Sequence, residues 1–550
     1  MVRVAETTAT RSTVEMADLS TPESARAQLT APQEAGSRAG CVAVFAALGG
    51  FLFGLDIGYI SGVEEMASFA DDINGGEPLT DATQGFITGA FSIGAVATAF
   101  PPVAGAIIDR LGRKLAISSG GALFCIGALI QALSSDLVQM DVGRALAGAS
   151  IGILSTNVPV YQSEVAAPRR RGACVALYQL AITVGITVAF WLNWALSAVP
   201  NGWRISILAQ LLPGGCLALG MLAMPRSPRW LISKGRVGEA RAALVWLRGG
   251  AAVDSGAVDE ELAAAKAEAE REAAAATELR WSDFCRGTMS RLAPLGVLLQ
   301  LLQQLCGMNA FMYYGPRIFA LIQSGGEGEA GDDGERRSVG EASFLFTGVN
   351  GVVMVLSTLP GVFLVDRLGR CKLLRLSAAG MGVSCLVLGV TGTTCIENHG
   401  CGIAASGAIF FFVFNFAYGW GPVVWIYCSE MFPLLHRSRA TGLTTMANWA
   451  GNFCLAFFPP LLISAIGYGT FFVFAAFCGA GFALACWLPE TKGKSLEEIA
   501  TMFDERLKPS DLKARVAGME LRIARLEAMQ SGDGARGTGV VSVGKEEANI

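Results

Sequence analysis

The sequence predicts an all-α membrane protein of twelve spanning helices, arranged as two parallel sets of six joined by a helical linker. Three observations carry this. The 550 residues are 52% hydrophobic and only 16% charged, a balance that a soluble chain of ordinary composition does not reach. Runs of about 20 apolar residues recur almost end to end, each long enough to cross a bilayer. A compact charged block, "DRLGRK" at 109–114, returns as "DRLGRC" at 366–371.

The spans are placed at about 41–62, 86–108, 115–134, 142–162, 173–198, 203–224, 291–322, 342–365, 373–394, 403–428, 440–466 and 470–488. Each is expected to be helical, because hydrocarbon offers no partner to an open backbone group. A large soluble bundle would need polar stripes at period 3.6, and these runs lack them. Five segments follow: a disordered tail 1–40, a first half 41–224, a linker 225–290, a second half 291–488 and a tail 489–550.

Charge orients the bundle. The loops at 109–114, 168–171, 366–375 and 436–439 are basic, whereas 63–85 carries Glu64, Glu65, Asp71, Asp72, Glu77 and Asp81 with no Lys or Arg. Basic short loops stay in the cytoplasm, so both termini are expected there, in a multi-pass protein of the plasma membrane. Residues 1–40 are polar and the first apolar run is long enough to span, so no cleaved signal is expected. A net charge of −4 speaks against nucleic acid as a partner. With His399 and His436 the only histidines and no Cys/His cluster, no metal site is expected. Cys395 and Cys401 flank a short outer loop and are candidates for a disulfide.

The repeat extends beyond the block. "YQSEVAAPRRRG" and "YCSEMFPLLHRSR" each place a Glu after the fourth span of its set, with an Arg seven residues on: Glu164 to Arg171 and Glu430 to Arg437. Parallel halves of six spans, with the substrate held at the midplane between them, define the major facilitator fold. Asp109, Arg113, Glu164, Arg171, Asp366, Arg370, Glu430 and Arg437 then share the inner face. They read as a latch that closes the inner mouth, built of pairs worth about 0–1 kcal/mol each when exposed. The alternative is that they only set topology, which requires neither matching acids nor matching spacing.

Asp56 and Arg144 lie within spans. Asp56 sits in "GGFLFGLDIGYISG" about 9 Å from the outer end of the first span, and Arg144 lies just past the outer start of the fourth. A charge at the centre of a span costs about 2.5–3.5 kcal/mol on insertion scales and marks function by default. The two are expected to meet in the outer third of the bundle and to exchange a proton as Arg144 approaches and leaves. A permanent buried pair that fixes helix register is the alternative.

The blocks "DRLGR", "GRALAG" (143–148), "SPRWL" (227–231), "QQLCGMNAFMYYGPRIF" (303–319), "GWGPVVW" (419–425) and "LPETKGKSLEEI" (488–499) resemble the sugar porter family of the major facilitator superfamily, over about 41 to 500. In character the resemblance is to algal, plant and fungal proton–hexose symporters. It implies alternating access, a hexose substrate, a proton as coupling ion taken by Asp56, and no cofactor or enzymatic activity. The alternatives are an uncoupled hexose carrier and a non-transporting sugar sensor. Expected partners are a monosaccharide, protons and the bilayer, with a monomer as the assembly. Arg226 stands where the family usually has Glu before "SPR", so the inner network is expected to be rewired there. The first outer loop has no Cys, which speaks against a disulfide-tied lid.

Sugars are neutral and rich in hydroxyls, so their site needs uncharged amides and flat aromatic faces. Positions matching the family pattern are Gln179, Gln303, Gln304, Asn309, Asn350 and Asn448, with Phe53, Tyr313, Trp425 and Trp449. At about 100° per residue, Gln303 and Gln304 point away from Asn309 and Tyr313 on a straight helix. A break at Gly307 or at Gly315–Pro316 is therefore expected in the seventh span. The linker is Ala-rich, charged and helical by propensity, and Leu512, Val516, Met519, Ile523 and Leu526 allow a short amphipathic or coiled helix in the last tail.

Overall fold

The computed structural model describes residues 38–166, 171–249, 255–278, 281–285, 288–323, 333–432, 436–492 and 502–503. The expected helix at 512–526 and the tail 1–37 lie outside the described residues. Among those described, all regular structure is helical, as surroundings of lipid require. In the first set, α1 is Arg38–Val63, α2 is Asp81–Ala99, α3 is 113–132, α4 is Leu137–Val165, α5 is Arg171–Leu196 and α6 is Gly202–Ala223. In the second, α7 begins as Met289–Leu305, α8 is Asp333–Leu368, α9 is Arg370–Thr394, α10 begins as His399–Tyr418, α11 is Arg437–Ile466 and α12 is Thr470–Trp487. We call the face carrying the basic blocks the inner face.

Ten segments are long and apolar enough to cross a membrane. One of them, Arg439–Trp487, contains two helices, and α2 falls outside the ten. Its Asp81, Gln84, Thr88 and Ser92 dilute the apolar character and prove to be used. The second span also differs in shape from a single helix over 86–108. It starts at Asp81, capped by the Thr80 hydroxyl on the Thr83 amide at 3.2 Å. It bends at Phe100, where Pro101 and Pro102 start a new helical stretch, and that stretch ends at the first charged block.

The two blocks share one backbone shape. Gly112 has φ 77° and ψ 162°, and Gly369 has φ 88° and ψ 162°. Each turns the chain on a single residue, so Asp109 lies on the helix before the turn and Arg113 on the helix after it. A side chain would resist this φ, and at Gly112 its Cβ would also stand 2.9 Å from the Trp230 ring. Between α1 and α5 a different demand appears: a Cβ at Gly54 would come within 2.0 Å of the Ile182 carbonyl oxygen. Small residues let membrane helices approach this closely, and here they set α1, with Asp56, against its neighbour.

Large apolar side chains such as Leu133, Val138, Leu212, Leu219 and Ile403 point outward and exposed, the pattern of a lipid-facing belt. The linker helices Pro228–Ser233 and Val237–Arg248 dock on the first set, and Ser255–Glu278 packs on those two. Arg248 Nη1 donates to the Val165 carbonyl at 3.0 Å, placing a cation on the open C-terminus of α4. Trp230 Nε1 donates to the Asp109 carbonyl at 3.3 Å. At the outer face Cys395 and Cys401 form a disulfide.

Candidate functional site

The seventh span is broken twice. Helix Met289–Leu305 gives way at Gly307, whose φ is 101°, to Met308–Tyr313, and a second break at Tyr314 precedes Gly315–Gln323. The breaks turn side chains that a straight helix would scatter toward a common centre. Gln304 Nε2 donates to Asn448 Oδ1 at 2.9 Å, and Asn309 Nδ2 donates to Gln304 Oε1 at 2.6 Å. Asn448 Nδ2 donates to Gln303 Oε1 at 2.6 Å and to Gln300 Oε1 at 2.7 Å, while Gln303 Nε2 donates to the carbonyls of Trp420 and Gly421, both at 2.8 Å. Tyr313 belongs to a separate group, in which Asn452 Oδ1 accepts from the Tyr313 hydroxyl at 2.9 Å and from Ser92 on α2 at 2.7 Å. The sequence reading did not name Gln300 in the network, or Asn452 and Ser92 in the group beside it.

The network leaves capacity unused. Both polar atoms of Asn350, a residue 0% exposed, lack a partner, as do Trp449 Nε1 and Gln300 Nε2. Phe53 on α1 packs on Trp449 of α11 with ring centroids 5.1 Å apart, and Phe91 approaches the same indole at 5.9 Å. This aromatic contact joins the first set to the second. Gln179 on α5 and Trp425 on the second helix of α10 are both half-buried. Among the described residues, no hydrogen bond or ring contact joins either of them to the amide network.

Asp56 and Arg144 meet. Arg144 Nη1 donates to Asp56 Oδ2 at 2.7 Å, with the residues 1% and 0% exposed. The guanidinium has further holds: Tyr59 Oη at 3.0 Å, and the carbonyls of Ile87 and Thr88 on α2 at 3.1 and 3.2 Å. The rings of Tyr59 and Phe91 flank it at 5.5 and 5.0 Å. The Tyr59 hydroxyl also donates to Gln131. Asp56 Oδ1, in contrast, is buried without a partner.

At the inner face the two repeats build matching ion pairs. Arg113 reaches Glu164 at 2.9 Å and Arg370 reaches Glu430 at 2.8 Å. Asp109 is 3.9 Å from Arg113 and mostly exposed, a peripheral partner. The side chains of Arg171, Asp366 and Arg437 lie outside the described residues. Each Glu has a second partner from beyond its own set of blocks: Ser227 donates to Glu164, and Thr491 Oγ1 donates to Glu430 at 2.7 Å. Arg226 turns aside, over the Trp230 ring at 5.2 Å.

The outer face holds a cluster that the sequence reading missed. Arg317, on the last part of α7, donates to Asp81 at 2.8 Å and to Gln84 at 2.7 Å on α2, and to Ser464 on α11 at 3.3 Å. The Tyr314 hydroxyl donates to the Ala456 carbonyl. Arg317 lies inside the run placed at 291–322, so the rule that singled out Asp56 and Arg144 also applied to it.

An inward-pointing amide network across a broken helix, a buried acid–base pair and duplicated inner-face ion pairs are the features of a membrane transporter of the major facilitator fold. The solved structure of the proton:xylose symporter XylE bound to 6-bromo-6-deoxy-D-glucose superposes with TM-score 0.69 at 24% identity, covering 84% of this chain and 98% of that one, which shows the fold. Residues 42–503 match the family model described as "Sugar (and other) transporter", and the chain belongs to that family. Among its relatives are the glucose transporter GlcP of Staphylococcus epidermidis, 33% identical over 84% of this chain and 97% of the relative, and the galactose-proton symporter of Escherichia coli, 34% identical over 83% and 93%. The hexose transporter HXT10 of Saccharomyces cerevisiae is 31% identical over 84% and 85%. The protein is a multi-pass sugar transporter and not an enzyme.

Proposed function

We propose that this protein takes up a glucose-like hexose together with protons by alternating access, acting as a monomer in the plasma membrane with both termini cytoplasmic. The observation that carries the coupling is the fully buried Asp56–Arg144 pair, with one carboxylate oxygen unpartnered. A proton on Asp56 weakens its bond to Arg144. Arg144 also grips α2, so a change of charge at Asp56 reaches the helix that Arg317 holds at its outer end. Relatives named as galactose-proton and arabinose-proton symporters support the proton, and those named for glucose and hexose support the sugar.

In this reading Gln303, Gln304, Asn309, Asn350 and Asn448 bind the sugar hydroxyls from the second half, 291–488. Phe53, Tyr313, Trp425 and Trp449 supply apolar faces, and Gln179 contacts the sugar from the first half, 41–224. The Arg113–Glu164 and Arg370–Glu430 pairs fasten the inner gate, with the 225–290 linker as its buttress.

One observation favours a second reading. Arg144 has three acceptors besides Asp56, enough to hold it permanently, as in an uncoupled hexose carrier. Asp56→Asn separates the two. In proteoliposomes the symport reading predicts loss of protonophore-sensitive glucose accumulation in a variant whose thermal stability glucose still raises. Retained pH-dependent accumulation would contradict it.

A further inference from the structure

The sequence places two acids, Glu64 and Glu65, directly after α1 at the outer face, and they have different fates. Glu65 is exposed, and its Oε1 accepts from Gln84 Nε2 at 3.4 Å. Glu64 turns inward and is 8% exposed. Its Oε1 accepts from the Thr88 hydroxyl at 2.7 Å, and its Oε2 is buried without a partner. Among the described residues no cation forms an ion pair with it.

Thr88 faces two ways. While its hydroxyl serves Glu64, its carbonyl accepts from Arg144 Nη2 at 3.2 Å, and Arg144 Nη1 reaches Asp56. Glu64 and Asp56 are thus the two ends of one polar chain through Thr88 and Arg144, each with one buried oxygen left unpartnered. They stand eight positions apart, about 12 Å along the helix axis, with Asp56 the deeper. A buried carboxylate that lacks a cation is a poor permanent charge. Nothing in the packing requires an acid there, because a glutamine would accept the same Thr88 bond.

We propose that Glu64 is the outer proton acceptor of this carrier, taking a proton from external water and passing it to Asp56. This rests on the symport reading given above. Water admitted from outside carries the proton: an O–H bond on Glu64 breaks as Glu64 protonates a water, an O–H bond on Asp56 forms as that water chain gives a proton up, and Glu64 returns to a carboxylate with the water regenerated. The cluster of Gln84, Arg317 and Asp81 lies beside Glu64 at the outer face and joins α2 to α7. Its separation when the outer side opens admits water to the carboxyl.

The groups around Glu64 set the pH at which it loads. Tyr59 and Glu65 lie on its own chain segment, Thr88 and Gln84 on α2, Arg144 on α4, and Tyr314 and Arg317 on α7. Burial pushes its carboxyl up to about 8, against the opposing pull of the Thr88 hydroxyl and Arg144. Such a group is protonated from a neutral exterior.

The test uses the full chain in proteoliposomes with labelled glucose, measuring protonophore-sensitive accumulation against outer pH for wild type, Glu64→Gln, Glu64→Asp and Thr88→Val. Stabilisation by glucose on heating reports folding and sugar binding. Glu64→Gln is expected to lower accumulation at outer pH 7.5 by about tenfold and to move the profile acid by about one unit, with Glu64→Asp restoring most of the rate. Thr88→Val removes a donor that favours the carboxylate, so its profile moves to higher pH. A coupled wild type with Glu64→Gln matching its profile overturns the relay and leaves symport standing. A wild type that never accumulates sugar overturns both. Should Glu64→Gln not fold, Thr88→Val decides: an alkaline shift supports the relay, and an unmoved profile overturns it.

Discussion

Removing either member of the Asp56–Arg144 pair should damage the fold unequally, and the structure says which is worse. In Arg144→Gln the Asp56 carboxylate stays buried with no cation and no other donor, since its second oxygen is already unpartnered. Breaking a buried pair in this way costs about 3–5 kcal/mol. In Asp56→Asn the guanidinium keeps the Tyr59 hydroxyl, two α2 carbonyls and two ring faces. The loss there is one charge-assisted bond, about 1.5–3 kcal/mol. The double variant has no stranded charge and should be more stable than Arg144→Gln alone, so the coupling between the two sites is non-additive by about 0.5–3 kcal/mol. Thermal unfolding of the four purified proteins in one detergent gives the order. Asp56→Asn unfolding at or below the temperature of Arg144→Gln, or a double variant worse than Arg144→Gln, would show that the guanidinium, not the carboxylate, is the group left stranded.

Asn448→Ala removes the amide that binds Gln300, Gln303 and Gln304 together; the glucose KM should rise roughly tenfold, about 1.4 kcal/mol, read from concentration-dependent uptake. Gly112→Ala and Gly369→Ala force a side chain into a φ of 77° or 88°, and each should lower stability by about 1–2 kcal/mol, seen as a lower unfolding temperature without a change in KM. Arg317→Gln unfastens α7 from Asp81, so a cysteine introduced at the outer face between α2 and α7 should label faster with a membrane-impermeant reagent than in the parent.

The sequence carried the architecture because the apolar runs and the repeated block are both local signals. The turn at Gly112 and Gly369 was legible as two equivalent blocks, although nothing local announced that a single glycine would make each turn. The bend at Phe100 was hidden in the second span because hydropathy averages across Pro101 and Pro102. That Asp56 and Arg144 meet was legible from their depth and from the family resemblance, since spanning helices leave few ways to arrange two charges at the same level. Thr88, Ser92, Gln300 and Asn452 were not found: a polar residue in a span looks alike whether it binds its own helix or reaches across to another. Arg226 shows the limit from the other side. Its departure from the family pattern was plain in the sequence, but that Ser227 would serve Glu164 while Arg226 lay over Trp230 was a matter of three-dimensional packing.

In the proposed cycle sugar movement is tied to a proton. Purified wild-type protein in liposomes, given labelled glucose outside and an inwardly directed proton gradient, tests it most directly. Proton coupling predicts accumulation above the outside concentration that a protonophore abolishes. Equilibration to the outside level, at a rate indifferent to both gradient and protonophore, would contradict it and leave Asp56 and Arg144 as a structural pair.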